Sequence, residues 1–275
     1  MRFFRLLLIC SISLSACAQP SQPKATPSPR RELNIAVKGD WGAGTQAQRD
    51  VTAAMCRERK RRNFAVVITT GDNFYRPDGR ATDKNFSDPE RCLIDGGVTW
   101  RAVWGNHDLA GSSTKDVLGA ERRYTWSEGD VGFFMLDSNN VDADQTRWLE
   151  TQLKRSTARV KIAAFHHPVF TDGPHEDTAA IKASWVPLFE RWGVALVLTG
   201  HNHDYEHAVS GGVTYVVTGG GGAQVYPCLR REAEVLRCLP ENHFLLLTFT
   251  ASSVTVEAIG VDGKRLDRFK VPISR

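Results

Sequence analysis

At 275 residues the chain is long enough for one large domain or two small ones with an ample core. Its apolar, aromatic and charged fractions of 41, 9 and 24 % are those of a globular protein. A net charge of +4, part of it from Arg2 and Arg5 at the extreme N-terminus, excludes a strongly basic nucleic-acid binder.

The chain opens with Arg2 and Arg5 and an apolar stretch, 6–14, too short to span a bilayer as an ordinary helix. Leu14-Ser15-Ala16-Cys17 follows and matches a bacterial lipobox. That predicts a lipoprotein-type signal peptide over 1–16, cleavage before Cys17, and a lipid-anchored protein of the periplasm or outer membrane. Ordinary secretion is the rival, because Ala16-Cys17-Ala18 also fits an A-x-A cleavage site. Residues 17–31 are rich in Pro and Ser and read as a disordered tether, which leaves 32–275 as the domain.

Within the domain, 33–38 and 64–70 are apolar runs bounded by turn residues, with a helical pattern over 45–62 between them. Arg57, Arg59, Lys60, Arg61 and Arg62 crowd the end of that helix, where cations complement its dipole. A shorter strand is expected over 100–104, then a hairpin of 124–126 and 131–136 turned at Gly129-Asp130. A helix over 144–155, a strand over 160–165, a helix over 179–192 and a strand over 194–199 follow. Beyond Gly200 the runs 213–217, 244–250, 253–259 and 265–271 read as successive antiparallel strands. The glycine run 219–222 reads as a flexible turn. Near-continuous apolar strands alternating with helices imply a buried sheet covered by helices. The expected class is α/β, a four-layer α/β/β/α sandwich of two mixed sheets flanked by helices.

Four cysteines lie in the domain, Cys56, Cys92, Cys228 and Cys238, enough for two disulfides in an oxidising compartment. Cys228 and Cys238 flank a short insertion and are the first pair to expect, which leaves Cys56 with Cys92. Sequence alone leaves the pairing open.

Five short blocks carry the chemistry: Gly39-Asp40-Trp41-Gly42, Gly71-Asp72-Asn73-Phe74-Tyr75, Gly105-Asn106-His107-Asp108, His166-His167-Pro168 and Gly200-His201-Asn202-His203. Each follows an apolar run, so carboxylate, phenol, amide and imidazole groups converge on the ends of neighbouring strands, where open α/β folds place their sites. A carboxylate offers two oxygens and can bridge two cations, and Asp72 is the candidate bridge. Two imidazoles on alternate residues, His201 and His203, point to one side of an extended segment.

This set resembles the calcineurin-like metallophosphoesterases, and more narrowly the small purple, or tartrate-resistant, acid phosphatases, over essentially all of 33–271. The resemblance implies that Asp40, Asp72, Tyr75 and His203 bind Fe(III), and that Asp72, Asn106, His166 and His201 bind a second ion, Fe(II), Zn or Mn. Hard phenolate and carboxylate donors suit trivalent iron, and amide and imidazole suit a divalent ion. It also implies His107, oriented by Asp108, and His175 as the catalytic groups that contact phosphate and protonate the leaving oxygen. His167 supports the ligands, and His207 and His243 are read as structural. The implied activity is hydrolysis of small phosphomonoesters by a metal-activated hydroxide. A monomer is expected, and the mild charge gives no case for a nucleic-acid partner. The rival enzyme is a phosphodiesterase or nucleotide hydrolase with Mn or Zn. The rival of another class is a surface-tethered binding protein whose metal site is structural.

Overall fold

A computed structural model of the chain describes residues 32–273. The expected signal peptide (1–16) and tether (17–31) lie outside the described residues. No helix among the described residues is long and apolar enough to cross a membrane.

The chain begins with β1 (Leu33–Lys38), α1 (Gln46–Arg62) and β2 (Val66–Thr69), then α2 (Arg91–Asp95), β3 (Thr99–Ala102) and α3 (Ser113–Asp116). A hairpin of β4 (Tyr124–Glu128) and β5 (Val131–Met135) follows, then α4 (Ala143–Arg155) and β6 (Val160–Ala164). The sequence 179–192 folds as two short helices, α5 (Ala179–Ser184) and α6 (Val186–Trp192), where one was expected. Pro187 causes the break: it has no N–H to return to the carbonyl four residues back. Seven strands remain to be placed after α6: β7 (Val194–Thr199), β8 (Tyr205–Ser210), β9 (Val213–Thr218), β10 (Val235–Leu239), β11 (His243–Phe249), β12 (Ser253–Gly260) and β13 (Arg265–Pro272).

The thirteen strands of the described residues form a six-stranded sheet, β13-β12-β11-β1-β2-β3, and a seven-stranded sheet, β10-β8-β9-β7-β6-β5-β4. Both are mixed: β1, β2 and β3 run parallel, while β11, β12 and β13 are antiparallel. The expected run of successive antiparallel strands after Gly200 is therefore corrected. Strand β9 lies in the other sheet, parallel to β7, and β8 and β10 were not expected at all.

Strict alternation builds the layers. Ile35 and Val37 of β1 face Phe133, Ile162 and Leu196 in the core between the sheets, while Ala36 turns to Val51, Met55 and Phe64 beneath α1. The second sheet does the same: Ile162 and Ala164 point inward, and Ala163 and Phe165 meet Leu149 of α4 and Ile181 and Phe189 of α5 and α6. The result is the four-layer α/β/β/α sandwich. Helix α1 starts within a residue of the expected position, at Gln46, with Thr45 as its cap accepting from the Gln48 N–H at 3.1 Å. The disulfides are Cys56–Cys92 and Cys228–Cys238.

The glycine run 219–222 is a packed crossing rather than a flexible turn. All four glycines are buried, and a Cβ on Gly221 would sit 2.3 Å from the Gly39 carbonyl oxygen. Beside it His243 is fully buried, its Nδ1 2.9 Å from the Glu241 carbonyl oxygen and its Nε2 3.0 Å from the Thr218 hydroxyl. Burial lowers its pKa to about 4 against an ordinary 6.5. Because the folded value is depressed, the unfolded chain takes up the proton first as pH falls. The neutral imidazole's contribution is whole above pH 6.5 and drains away toward about 4. Between pH 7 and 5 the loss amounts to about 2 kcal/mol. Urea midpoints should fall over that range in the native protein and fall measurably less in His243→Gln.

Candidate active site

The C-terminal ends of β1, β2, β3, β6 and β7 converge, and each is followed by one of the five blocks. The loops after β1 and β2 are laced together: the N–H of Asp40 donates to the Gly71 carbonyl (3.0 Å) and that of Trp41 to the Asp72 carbonyl (3.2 Å). The Tyr75 N–H donates to the Gly42 carbonyl at 3.0 Å, and this folds the phenol back over the same point.

Four non-glycine residues among those described have positive φ: Asp40 (56°), Asn63 (23°), Asp72 (46°) and His201 (71°). Three of the four are expected ligands. Such backbone costs on the order of 1–3 kcal/mol per residue and persists where surrounding structure over-determines it, characteristically at functional sites. Gly71 shares the turn with Asp72, at φ 96°, while Asp40 and His201 carry it themselves. Gly105 and Gly200 make room. A Cβ on Gly105 would lie 2.1 Å from Asp72 Oδ1, and one on Gly200 would lie 2.3 Å from Asp40 Oδ2.

The side chains assemble in two groups. In the first, the Tyr75 hydroxyl is 3.1 Å from Asp40 Oδ1 and 2.8 Å from His203 Nε2. In the second, His166 Nε2 is 3.0 Å from Asn106 Oδ1, 3.2 Å from His201 Nδ1 and 3.5 Å from Asp72 Oδ1. Ligand atoms of Asp40, Asp72 and His166 lie within 4.8 Å of one another, so the groups share a wall. Asp40 and His166 are fully buried and Asp72 nearly so.

Backbone carbonyls set the imidazole tautomers. His166 Nδ1 is 2.9 Å from the Thr70 carbonyl oxygen and His203 Nδ1 2.7 Å from that of Gln224, so each Nδ1 carries the hydrogen. Each Nε2 then turns a lone pair into the site, the arrangement metal-ligating histidines adopt. Around His166 Nε2 stand an amide oxygen and a carboxylate oxygen, with a second imidazole nitrogen. None of the oxygens has a hydrogen to give. Lone pairs facing lone pairs around a fully buried imidazole call for a cation, and the residues present fit one.

Electrostatics without that cation show the same demand. Burial works against a charged His166, yet Asp72 and Asp40 outweigh it and hold the pKa at about 10, a proton doing a cation's work. Asp72 is held well below the usual carboxylate range: His166 and the His107 N–H, which donates to Oδ1 at 2.9 Å, overcome its burial. Burial raises Asp40, and burial with Asp40 and Asp72 pushes the Tyr75 phenol well above 10. Burial, then His166, lower His201 to about 2 and His167 to about 4, so both present lone pairs.

His107 and His175 sit exposed at the rim. The His107 ring lies 4.6 Å from that of Tyr75, and the His175 ring 4.3 Å from that of His201. The expectation that Asp108 orients His107 is corrected. Its carboxylate accepts the backbone N–H groups of Asn73 (3.0 Å), Phe74 (3.2 Å) and Gly105 (2.8 Å) and the Asn73 side-chain amide (2.9 Å). Asp108 ties the Asp72 loop to the Asn106 loop, and with those donors spent on it the carboxylate does not hydrogen-bond the imidazole.

Residues that the sequence reading did not single out complete the site. The Ser138 hydroxyl oxygen accepts the N–H groups of His166 (3.1 Å) and His167 (2.9 Å) and lies 2.8 Å from His167 Nδ1. Tyr226 stacks on His203 with centroids 4.1 Å apart. Neither belongs to a ligand block, and no local signal marks them.

The comparisons agree with this geometry. A family model described as calcineurin-like phosphoesterase matches residues 33–205. Purple acid phosphatase 7 of Arabidopsis thaliana is 28 % identical, over 70 % of this chain and 71 % of its own length. Tartrate-resistant acid phosphatase type 5 of Rattus norvegicus is 24 % identical, over 89 % of this chain and 92 % of its own. The structure of purple acid phosphatase PPD1 from yellow lupin seeds superposes with a TM-score of 0.73 at 16 % identity, over 88 % of this chain and 54 % of that one. All five ligand blocks fall within the span that the family model matches, and the chain belongs to the calcineurin-like phosphoesterase family.

Proposed function

We propose that this metal-dependent phosphatase hydrolyses small phosphomonoesters with a binuclear centre of the purple acid phosphatase type. The observation that carries the reading is the oriented imidazole of His166, whose Nε2 faces an amide oxygen, a carboxylate oxygen and another imidazole, with His203 Nε2 turned to the Tyr75 hydroxyl beside it. Asp40, Tyr75 and His203 would hold Fe(III); Asn106, His166 and His201 would hold Fe(II), Zn or Mn; Asp72 would bridge them. Bound there, the ions supply charge to neutralise the phosphoryl oxygens and to acidify a water for attack on phosphorus.

The chain's own residues do the rest. The donor set is split by hardness, with the phenol and Asp40 on one side and the amide and two imidazoles on the other, which supports unlike metals. His107 lies beside Asp72, its Nε2 3.9 Å from Oδ2, and is the group to contact phosphate. His175, exposed over His201, is the imidazole to give a proton to the leaving oxygen. Rim histidines that bind no metal favour an open catalytic site over a closed structural one.

The metal-loaded protein should hydrolyse 4-nitrophenyl phosphate and strongly prefer it to bis(4-nitrophenyl) phosphate. Preference for the diester would replace this reading with a phosphodiesterase, and inactivity on both would leave a binding protein. The two disulfides and the lipobox support a lipid-anchored protein of the cell envelope, working outside the cytoplasm.

A further inference from the structure

Asn202 stands between His201 and His203 in a tightly bent segment, where the Asn202 N–H donates to the Gly200 carbonyl at 2.8 Å and the Asp204 N–H to the Asn202 carbonyl at 2.9 Å. It is fully buried. Its Oδ1 accepts the N–H of His175 at 3.0 Å, and its Nδ2 donates to the His175 carbonyl at 3.0 Å and to the Thr171 hydroxyl oxygen at 2.6 Å. That pattern fixes the amide's orientation, since a flipped group would set a donor against the His175 N–H. The Thr171 hydroxyl passes its own hydrogen to Glu206 Oε1 at 2.6 Å. Buried Glu206 also accepts the N–H groups of Asp172 (2.8 Å) and Gly173 (3.1 Å). Gly173 lies against the amide so closely that a Cβ there would be 2.4 Å from Asn202 Cγ.

Both polar backbone atoms of one exposed histidine are thus held by one buried side chain, itself flanked in sequence by two expected metal ligands. We infer that Asn202 is a positioning residue for the proposed proton donor: with Thr171 and Glu206 it clamps the 171–175 loop and sets the His175 imidazole relative to the His201 ring. The inference rests on the role proposed for His175, and its test separates the two. Proton donation matters for poor leaving groups and little for good ones.

The measurement is kcat on an alkyl phosphate and on 4-nitrophenyl phosphate, with metal content determined for every variant. Asn202→Ala should lower turnover of the alkyl ester roughly tenfold and of the aryl ester by less than about twofold, the kind of penalty a displaced catalytic group brings. Its metal content should stay at the native value. His175→Ala should show the same selectivity, and the double variant should be no worse than His175→Ala alone, because groups acting as one unit are not additive. Should Asn202→Ala fail to fold, Thr171→Val removes only the hydroxyl that links the amide to Glu206 and is expected to shift the alkyl-to-aryl ratio in the same direction. An unchanged ratio in the clamp variants beside a changed one in His175→Ala overturns the clamp and leaves the proton donor standing. Unchanged ratios in all of them overturn both, and full additivity in the double variant overturns the coupling.

Discussion

Asp72→Asn is expected to lower phosphatase turnover by at least about 100-fold, beyond the roughly 10–100-fold that loss of an outer-shell partner costs. The substitution keeps the shape of the side chain and an oxygen for the His107 N–H, which now reaches Oδ1 at 2.9 Å, so the fold should survive. What it removes is the charge and the second ligating oxygen of the one carboxylate placed between the two groups. Metal analysis should then show both ions depleted, rather than one. His166 would lose the first of the charges that hold its pKa at about 10, and so its strongest attraction for a cation. Circular dichroism confirms the fold, and metal content with turnover on 4-nitrophenyl phosphate completes the test. Near-native turnover in this variant would end the assignment of Asp72 as the bridge.

Tyr75→Phe tests which branch of the family the site belongs to. The phenol is the only hard anionic donor besides Asp40 in its group, and burial with two nearby carboxylates keeps its proton on without a cation. Only a strongly charged ion displaces that proton, which is why a phenolate here implies trivalent iron. The iron-loaded native protein should absorb in the middle of the visible spectrum, and Tyr75→Phe should lose that band. Affinity for the ion proposed at Asp40 and His203 should drop by at least about tenfold, while the ion proposed at Asn106, His166 and His201 should stay. A colourless native protein carrying its full complement of iron would remove the purple reading and leave the phosphoesterase.

Much of this was legible beforehand. Asp40, Asp72, Tyr75, Asn106, His166, His201 and His203 were singled out from their blocks, and the structure brings all seven together. His175 was singled out with less support and does arrive at the rim. What misled was what the blocks do not contain. Asp108 adjoins His107 in sequence, yet its oxygens are claimed by N–H groups of Asn73 and Phe74, some 35 residues away. Strand β9 looked like the first of an antiparallel series, yet its hydrogen bonds go to β7 and β8. The break at Trp185 hung on one proline inside an otherwise helical pattern.

By itself the sequence determined the chemistry of the donors, their order, and their placement at strand ends, because residue type and apolar alternation are local properties. It also determined the α/β class and the start of α1, where Thr45 and the hydrogens it caps are neighbours. The tertiary structure alone decided the tautomers imposed by Thr70 and Gln224, the left-handed backbone at Asp40, Asp72 and His201, and the roles of Ser138, Asn202 and Tyr226. Each of these turns on a partner brought in from a distant segment, as Tyr75 meets His203 across 128 residues. A buried lone pair is satisfied by whatever the fold carries to it, and sequence spacing does not record that.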